Sequence, residues 1–275
     1  MNICITFADD KYLKSQIKCS KQAYKHGFDK VIKYTPKDIE HNFIGQHRDI
    51  FAFERGHGLW LWKPYLIYKT LLYDSADGDF VFYMDSGSFF VKNCSFILKE
   101  MKKNNECIYL TEYPISEKCY TKPSLFDYFK LSEENIASAQ CQGGFIGIIN
   151  CESSRNFIKE WLDCCCQLDL IRPLNGEAHD YPFISHREDQ SILSCLAKTK
   201  GIEFHKNPTQ YGLMKGMLFD KTLKPYYRWR HFDDSYSFVI YLHRGNFGNV
   251  YMTLRSIIWM FINVLEYYFT KRRGI

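Results

Sequence analysis

Residues 55–90 read RGHGLWLWKPYLIYKTLLYDSADGDFVFYMDSGSFF. Three physical signals follow one another in that stretch. A loop rich in Gly and Trp carries one cation, Lys63. A helix opens at Pro64, a residue whose missing N–H costs nothing in a first turn. A strand, DFVFYM, then delivers Asp85, Ser86 and Gly87 at its carboxyl end. The strand is apolar on both faces, which predicts a central place in a sheet. In open α/β sheets, ligands bind outside the carboxyl ends of the strands. Asp85 is therefore either an ordinary turn Asp or a carboxylate offered to a ligand, with Ser86 and Gly87 small enough to let that ligand approach. A carboxylate in this place suits a hard divalent cation, Mn²⁺ or Mg²⁺. Lys63 opens a helix, where cations are disfavoured, so an anionic partner such as a phosphate is expected for it.

Around this stretch, 275 residues with 46% hydrophobic and 24% charged side chains fit one α/β unit with a substantial core. The 17% aromatic content predicts aromatic-lined clefts or an interface. A net charge of +5, with Lys and Arg spread along the chain, argues against nucleic acid as a partner and suits an anionic small ligand. The 11 cysteines are odd in number and include no C-x-x-C pair, so free thiols in a reducing compartment are expected. With no signal-peptide pattern at MNICITFADD and no uncharged stretch of about 20 residues, the expected location is cytoplasmic.

The opening reads strand–helix–strand, a parallel βαβ unit: Asn2 to Ala8, then a helix from Asp9-Asp10 to about His26 closed by Gly27, then KVIKYTP stopped by Pro36. Residues 37–54 predict a short helix and a loop. Cys94 to Lys103 predicts a helix, ECIYLTEY a strand, and Pro114 to Cys141 an insertion over the sheet edge. GGFIGIIN predicts a strand and Ser153 to Leu168 a helix with Ser153 as its N-cap. Leu170 to Ser185 reads as loop, Glu188 to Lys200 as helix, GIEFHKN as a short strand and VIYLHRGN as the last strand. Pro208 to Asp234 shows little periodicity. The expected organisation is a catalytic unit over residues 1–249 and an apolar helix over 250–275. That helix, ending in Lys271-Arg272-Arg273, either packs on the domain or lies on a membrane surface with Trp259 and Tyr267 at the interface.

One carboxylate makes a weak metal site, so Asp85 needs partners from elsewhere. Asp189 and His243 are the candidates. His243 ends an apolar strand and is followed by Arg244 and Gly245, a combination that suits a phosphate. Glu188, Asp189 and Gln190 open a helix, where acidic residues are favoured by the dipole alone. Gln142-Gly143-Gly144 precedes a buried strand, and its glycines either form a bulge or clear space for a ligand.

Together these residues resemble the GT-A-fold glycosyltransferases, in particular small bacterial and viral polysaccharide-type enzymes with a G-x-W-x-W-K-P block before a Y-x-D-x-G strand. Here the block is Gly58 to Pro64 and the strand end is Tyr83 to Gly87. The chain is more distantly similar to retaining glycogenin-like enzymes. The resemblance implies an α/β fold with a GT-A-like, mostly parallel central sheet flanked by helices. It also implies that Thr6, Phe7 and Ala8 hold the nucleotide base, with Arg55, Trp62, Lys63, Asp85, Ser86, Gly87, Gln142, Gly143, Gly144 and Arg244 as further donor-binding residues. Asp85 and His243 would bind Mn²⁺ or Mg²⁺. Asp189-Gln190-Ser191-Ile192-Leu193-Ser194 matches the family's Asp-Gln-x-x-Leu-Asn motif. Two departures stand out: Gly87 replaces the second Asp of the metal motif; and Ser194 replaces the motif's Asn while no Lys-Pro-Trp follows His243, which leaves the diphosphate contact to Arg244.

The activity so implied is transfer of a sugar from a nucleotide diphosphate-sugar to a hydroxyl of a glycan or lipid-linked acceptor, in surface polysaccharide or glycolipid synthesis. The Asp-Gln-x-x-Leu match leans towards retention, with Asp189 or Gln190 near the anomeric carbon. Inversion would call on Glu188 or Asp189 as the base. Two rivals remain at the level of sequence. One is a sugar nucleotidyltransferase, against which Phe7-Ala8-Asp9-Asp10 lacks the expected glycine-rich loop. The other is a non-catalytic carbohydrate-binding protein on the same fold.

Overall fold

The computed structural model describes residues 1–174, 183–209 and 239–242. The central sheet has the order β2 (Lys30–Tyr34), β1 (Asn2–Phe7), β3 (Phe80–Met84), β8 (Phe145–Ile149), β5 (Ile108–Tyr109). β1 pairs in parallel with β2 and β3, whereas β8 runs antiparallel to both β3 and β5, so four of the five strands point one way. This is the mixed α/β class with a mostly parallel sheet expected from the sequence. Two antiparallel pairs lie outside it: β4 (Ser88–Phe90) with β9 (Ile240–Leu242), and β6 (Glu112–Ser116) with β7 (Ala139–Cys141).

Helices cover both sheet faces. α1 (Leu13–Lys25) follows β1. Three short segments, α2 (His41–Gln46), α3 (Arg48–Phe51) and α4 (Gly56–Leu59), lead into α5 (Trp62–Tyr73). α6 (Ser95–Lys103) follows β4. The predicted insertion holds α7 (Glu117–Tyr120), α8 (Pro123–Phe129) and α9 (Glu133–Ile136). α10 (Glu152–Cys165), α11 (Leu168–Ile171) and α12 (Glu188–Thr199) complete the set.

The strict two-residue period of the strands divides the core. Ile3, Ile5, Val81, Tyr83 and Ile148 face a layer built from α5, α10 and α12, with Trp161 fully buried among them. Cys4, Phe80, Phe82 and Met84 face α1 and α6 through Cys19, Ala23, Ile97 and Met101. Gly27, at φ +98, ends α1 in the left-handed conformation that glycine supplies most cheaply.

Several boundaries differ from the sequence expectation. α5 starts at Trp62, leaving Pro64 third in the first turn, where no hydrogen bond needs its N–H. The N-cap of α10 is Cys151, not Ser153; the Ser154 hydroxyl accepts from the Cys151 N–H at 3.0 Å. ECIYLTEY is two strands: after Tyr109 the chain leaves β8, and the N–H of Glu112 turns to the carbonyl of His205. GIEFHKN forms no strand, only a single bridge from His205 to Thr111. No helix among the described residues is long and apolar enough to cross a membrane. The expected tail helix, His243, Arg244 and most of Pro208 to Asp234 lie outside the described residues.

Candidate active site

A cleft of about 880 Å³ opens at the carboxyl ends of β1 and β3. Its floor is an ion-pair cluster. Lys63, in the first turn of α5, is 4% exposed; its Nζ stands 2.9 Å from Asp189 Oδ2 and 4.0 Å from Asp85 Oδ1. The same ammonium donates to the carbonyl of Gly143 at 3.0 Å. Lys63 thus ties together β3, α12 and the turn before β8, three segments far apart in sequence. Asp189 is 3% exposed, and burial pushes its carboxyl up to about 6, against the pull of Lys63 and with help from the neighbouring Glu188 and Asp85 charges. Burial works against the Lys63 ammonium, but Asp189 and Asp85 outweigh it and hold its pKa above the ordinary lysine value.

Asp85 differs from Asp189 in being half-exposed, with a side-chain exposure of 46%. Its Oδ1 accepts from the Tyr83 hydroxyl, and its backbone N–H donates to the Gly144 carbonyl at 2.8 Å. Oδ2 faces Gly144, where an added Cβ would lie 3.0 Å away. A hard oxygen donor open to a cleft fits Mn²⁺ or Mg²⁺, which commonly bind through one or two carboxylates plus substrate phosphates. Among the described residues no group of three or more His, Cys, Asp and Glu forms a metal cage, so other donors would have to complete such a site.

The wall opposite is held by amides. The Gln190 Oε1 accepts from the Gly143 N–H at 2.9 Å, and its Nε2 donates to Gln140 Oε1 at 2.5 Å. Gln140 in turn donates to Glu117 Oε1 at 3.0 Å, and Glu117 is paired with Lys198 at 2.7 Å, both groups essentially without solvent. This chain fixes the orientation of both carboxamides and, through them, the glycine turn. Glu188 sits at φ +40, a left-handed position uncommon for a side-chain-bearing residue. Its buried carboxyl, held above the ordinary range by burial that Arg55 only partly offsets, accepts from Arg55 Nε at 2.7 Å. Arg55 also lies over the Trp60 ring at 5.4 Å. Phe7 and Trp62 stack with centroids 3.8 Å apart and form an aromatic side to the cleft.

No protein-family model and no curated protein matches the sequence. Solved structures do overlap with the fold. The galactosyltransferase LgtC, in complex with donor and acceptor sugar analogs, matches at TM-score 0.47 and 15% identity over 89% of this chain and 87% of that one. Mouse xyloside xylosyltransferase 1 matches at 0.48 and 8% identity over 89% and 98%. The glycosyltransferase GlyE of Streptococcus pneumoniae TIGR4 matches at 0.45 and 14% identity over 98% and 64%. TM-scores below 0.5 mark a loose overlap, and the chemistry of the cleft has to be read from its own residues.

Most residues singled out in the sequence meet in this one cleft. Phe7, Ala8, Arg55, Trp62, Lys63, Asp85, Ser86, Gly87, Gln142, Gly143, Gly144, Glu188, Asp189 and Gln190 all line it. Thr6 is not on its surface: it is fully buried and pairs its hydroxyl with Ser86 at 2.8 Å, while Ser86 donates to the carbonyl of Phe7. Within the protein Lys63 is held by Asp189, Asp85 and the Gly143 carbonyl. His243 and Arg244 lie outside the described residues. The sequence reading missed the Asp9–His57 pair, at 2.8 Å on the cleft rim, and the Tyr83 hydroxyl on Asp85. His57 stood within the opening stretch, but nothing in its local pattern pointed to Asp9.

Proposed function

We propose that this chain is a glycosyltransferase that moves a sugar from a nucleotide diphosphate-sugar to a hydroxyl of a glycan or lipid-linked acceptor. The observation that carries the reading is the buried Lys63 ammonium beneath Asp85 and the Gly143-Gly144 turn, on the floor of a cleft at the carboxyl edge of the sheet. Phe7 and Trp62 offer an aromatic surface for a base at the β1 side. The glycine turn, where side chains would collide with Asp85 and Gln190, lets a sugar come close to backbone. Asp85, with His243, would hold Mn²⁺ or Mg²⁺, which when bound neutralises charge on the diphosphate leaving group. The chain's own contribution would be pre-oriented N–H donors, Lys63 below and Arg55 at the wall, each held in place by a carboxylate, Asp189 and Glu188, before the substrate arrives.

Retention is the outcome we favour. Inversion needs a free carboxylate beside the acceptor, yet Glu188 and Asp189 are each 3% exposed and each tied to a cation, Arg55 and Lys63. The test is a panel of nucleotide diphosphate-sugars with Mn²⁺, scoring released nucleotide diphosphate with and without acceptor glycans. Turnover by the wild type that is lost in Asp85→Ala supports the reading, and proton NMR of the product's anomeric centre reads the stereochemistry. A folded protein that turns over no donor in the panel overturns it.

A further inference from the structure

α1 buries one side and leaves two contrasting strips on the other. At about 3.6 residues per turn, Leu13, Ile17 and Tyr24 fall along one edge of the helix, 38%, 49% and 55% exposed, with buried Ser20 beside them where that edge meets the packed face. Beside that line run Lys14, Lys18, Lys21 and Lys25, also exposed. The buried face, with Cys19 and Ala23, is on the far side against the sheet. Single exposed apolar residues are ordinary. Three in register, bordered by four lysines on a helix that carries no acidic residue, are a different pattern. Lys18 lies over the Phe89 ring at 4.5 Å, and the Lys25 charge reaches His26, whose pKa is lowered by burial and by that charge.

The surface continues beyond the helix. The carbonyl of His26 accepts from the Cys94 N–H at 2.9 Å, which joins the end of α1 to the start of α6. On α6, Phe96 is 43% exposed and Lys99 is exposed as well, repeating the same pairing of apolar and basic. At the other end, Lys11 and Tyr12 precede α1 and line the cleft.

We infer that the outer face of α1, extended by α6, docks on the surface of a bilayer containing anionic phospholipid. The lysines would lie among the headgroup phosphates, and Leu13, Ile17 and Tyr24 would enter the boundary between headgroups and acyl chains. Charge complementarity selects this occupant, because four lysines on α1, with acids only beyond its ends at Asp9, Asp10 and Asp29, attract a uniformly negative plane. Docking this face brings Lys11 and Tyr12, which line the cleft, close to the bilayer. The inference does not depend on the transferase reading, and its test involves no activity.

The experiment is vesicle co-sedimentation of the full chain on phosphatidylcholine alone and on equal parts phosphatidylcholine and phosphatidylglycerol. Wild type should pellet with the anionic vesicles only, and less so at high salt. The variant Lys14→Gln/Lys21→Gln/Lys25→Gln should lose affinity by about fivefold per lysine, on the order of a hundredfold together. Ile17→Ser/Tyr24→Ser should also bind weakly while the lysines are intact. All five positions are exposed, so thermal unfolding should match wild type and exclude misfolding as the cause. A full-length Lys271→Gln/Arg272→Gln/Arg273→Gln variant separates the tail from α1. Three results would overturn the inference: no pelleting of wild type with anionic vesicles; loss confined to the tail variant; or concentration-dependent self-association in solution that Ile17→Ser/Tyr24→Ser abolishes, which would make the strip a contact between copies.

Discussion

Replacing Lys63 with Met removes the charge but keeps the length of the side chain, and the structure sets the size of the effect. Lys63 and Asp189 face each other at 2.9 Å with side chains 5% exposed on each side. Removing one member of such a buried pair strands the other, at a cost of about 3–5 kcal/mol, roughly a hundredfold to several thousandfold in the folding equilibrium. The loss should depend on pH, in a direction fixed by Asp189. Its carboxyl is raised to about 6 in the folded protein against about 3.9 unfolded. The folded state therefore holds the proton more tightly, and stability falls as pH rises through that interval, by about 3 kcal/mol in total. Without Lys63 the folded value climbs further and the interval extends upward. Urea denaturation at about pH 5 and about pH 8 should show a small deficit for Lys63→Met at the lower pH, where Asp189 folds neutral, and the full deficit at the higher. Adding Asp189→Asn to Lys63→Met should recover most of the loss at pH 8, because the stranded charge is gone. Equal deficits at both pH values, or no recovery in the double variant, would refute the reasoning that Lys63 exists to balance a buried carboxylate.

Other outcomes follow from the same geometry. Asp85→Asn should leave thermal stability within about 0.5 kcal/mol of wild type, as expected for a half-exposed group, while nucleotide-sugar turnover falls by roughly a hundredfold or more. Gly144→Ala places a methyl 2.7 Å from Gln142 Nε2 and 3.0 Å from Asp85 Oδ2; thermal shift with nucleotide diphosphates and Mn²⁺ should shrink in this variant if the ligand uses that space. Glu117→Gln leaves Lys198 charged with no counter-ion in a site where both side chains are at most 1% exposed, so it should cost about 3–5 kcal/mol in chemical denaturation. Chelation of divalent ions should abolish turnover and be reversed by Mn²⁺, whereas turnover unaffected by chelation would leave Lys63 and Arg55 to carry the charge alone.

The sheet was legible in the sequence because it is written locally. β1 and β3 are apolar runs with sharp ends, and Gly27 and Pro36 punctuate the segments between them. Asp85 could be placed at a strand's carboxyl end from such signals alone. What could not be read was pairing across distance. Nothing in the local sequence of Lys63 names Asp189; the pair forms because α5 and α12 pack on the same sheet face. The same holds for Arg55 with Glu188, for Asp9 with His57, and for the buried Glu117–Lys198 pair, whose members carry no periodic signal. The division of ECIYLTEY into β5 and β6 was hidden for a related reason: the residues have one β-propensity throughout, and only the His205 backbone decides where the first sheet ends.

The segment at α4 carries one more consequence. Gly56, His57, Gly58, Leu59 and Trp60 all have positive φ, between 51° and 86°. Three of them bear side chains that disfavour this hand by about 1–2 kcal/mol each. The turn is fastened at both ends, by Trp62 donating to the Gly56 carbonyl at 2.8 Å and by Leu59 sunk fully into the core. Gly58 has Phe51 where a side chain would begin. A side chain at Gly56 or Gly58 would meet Trp60 or Phe51 in addition to the cost of the left-handed backbone, so this wall should change together with those two aromatic residues: its shape and the packing beneath it are one unit of inheritance.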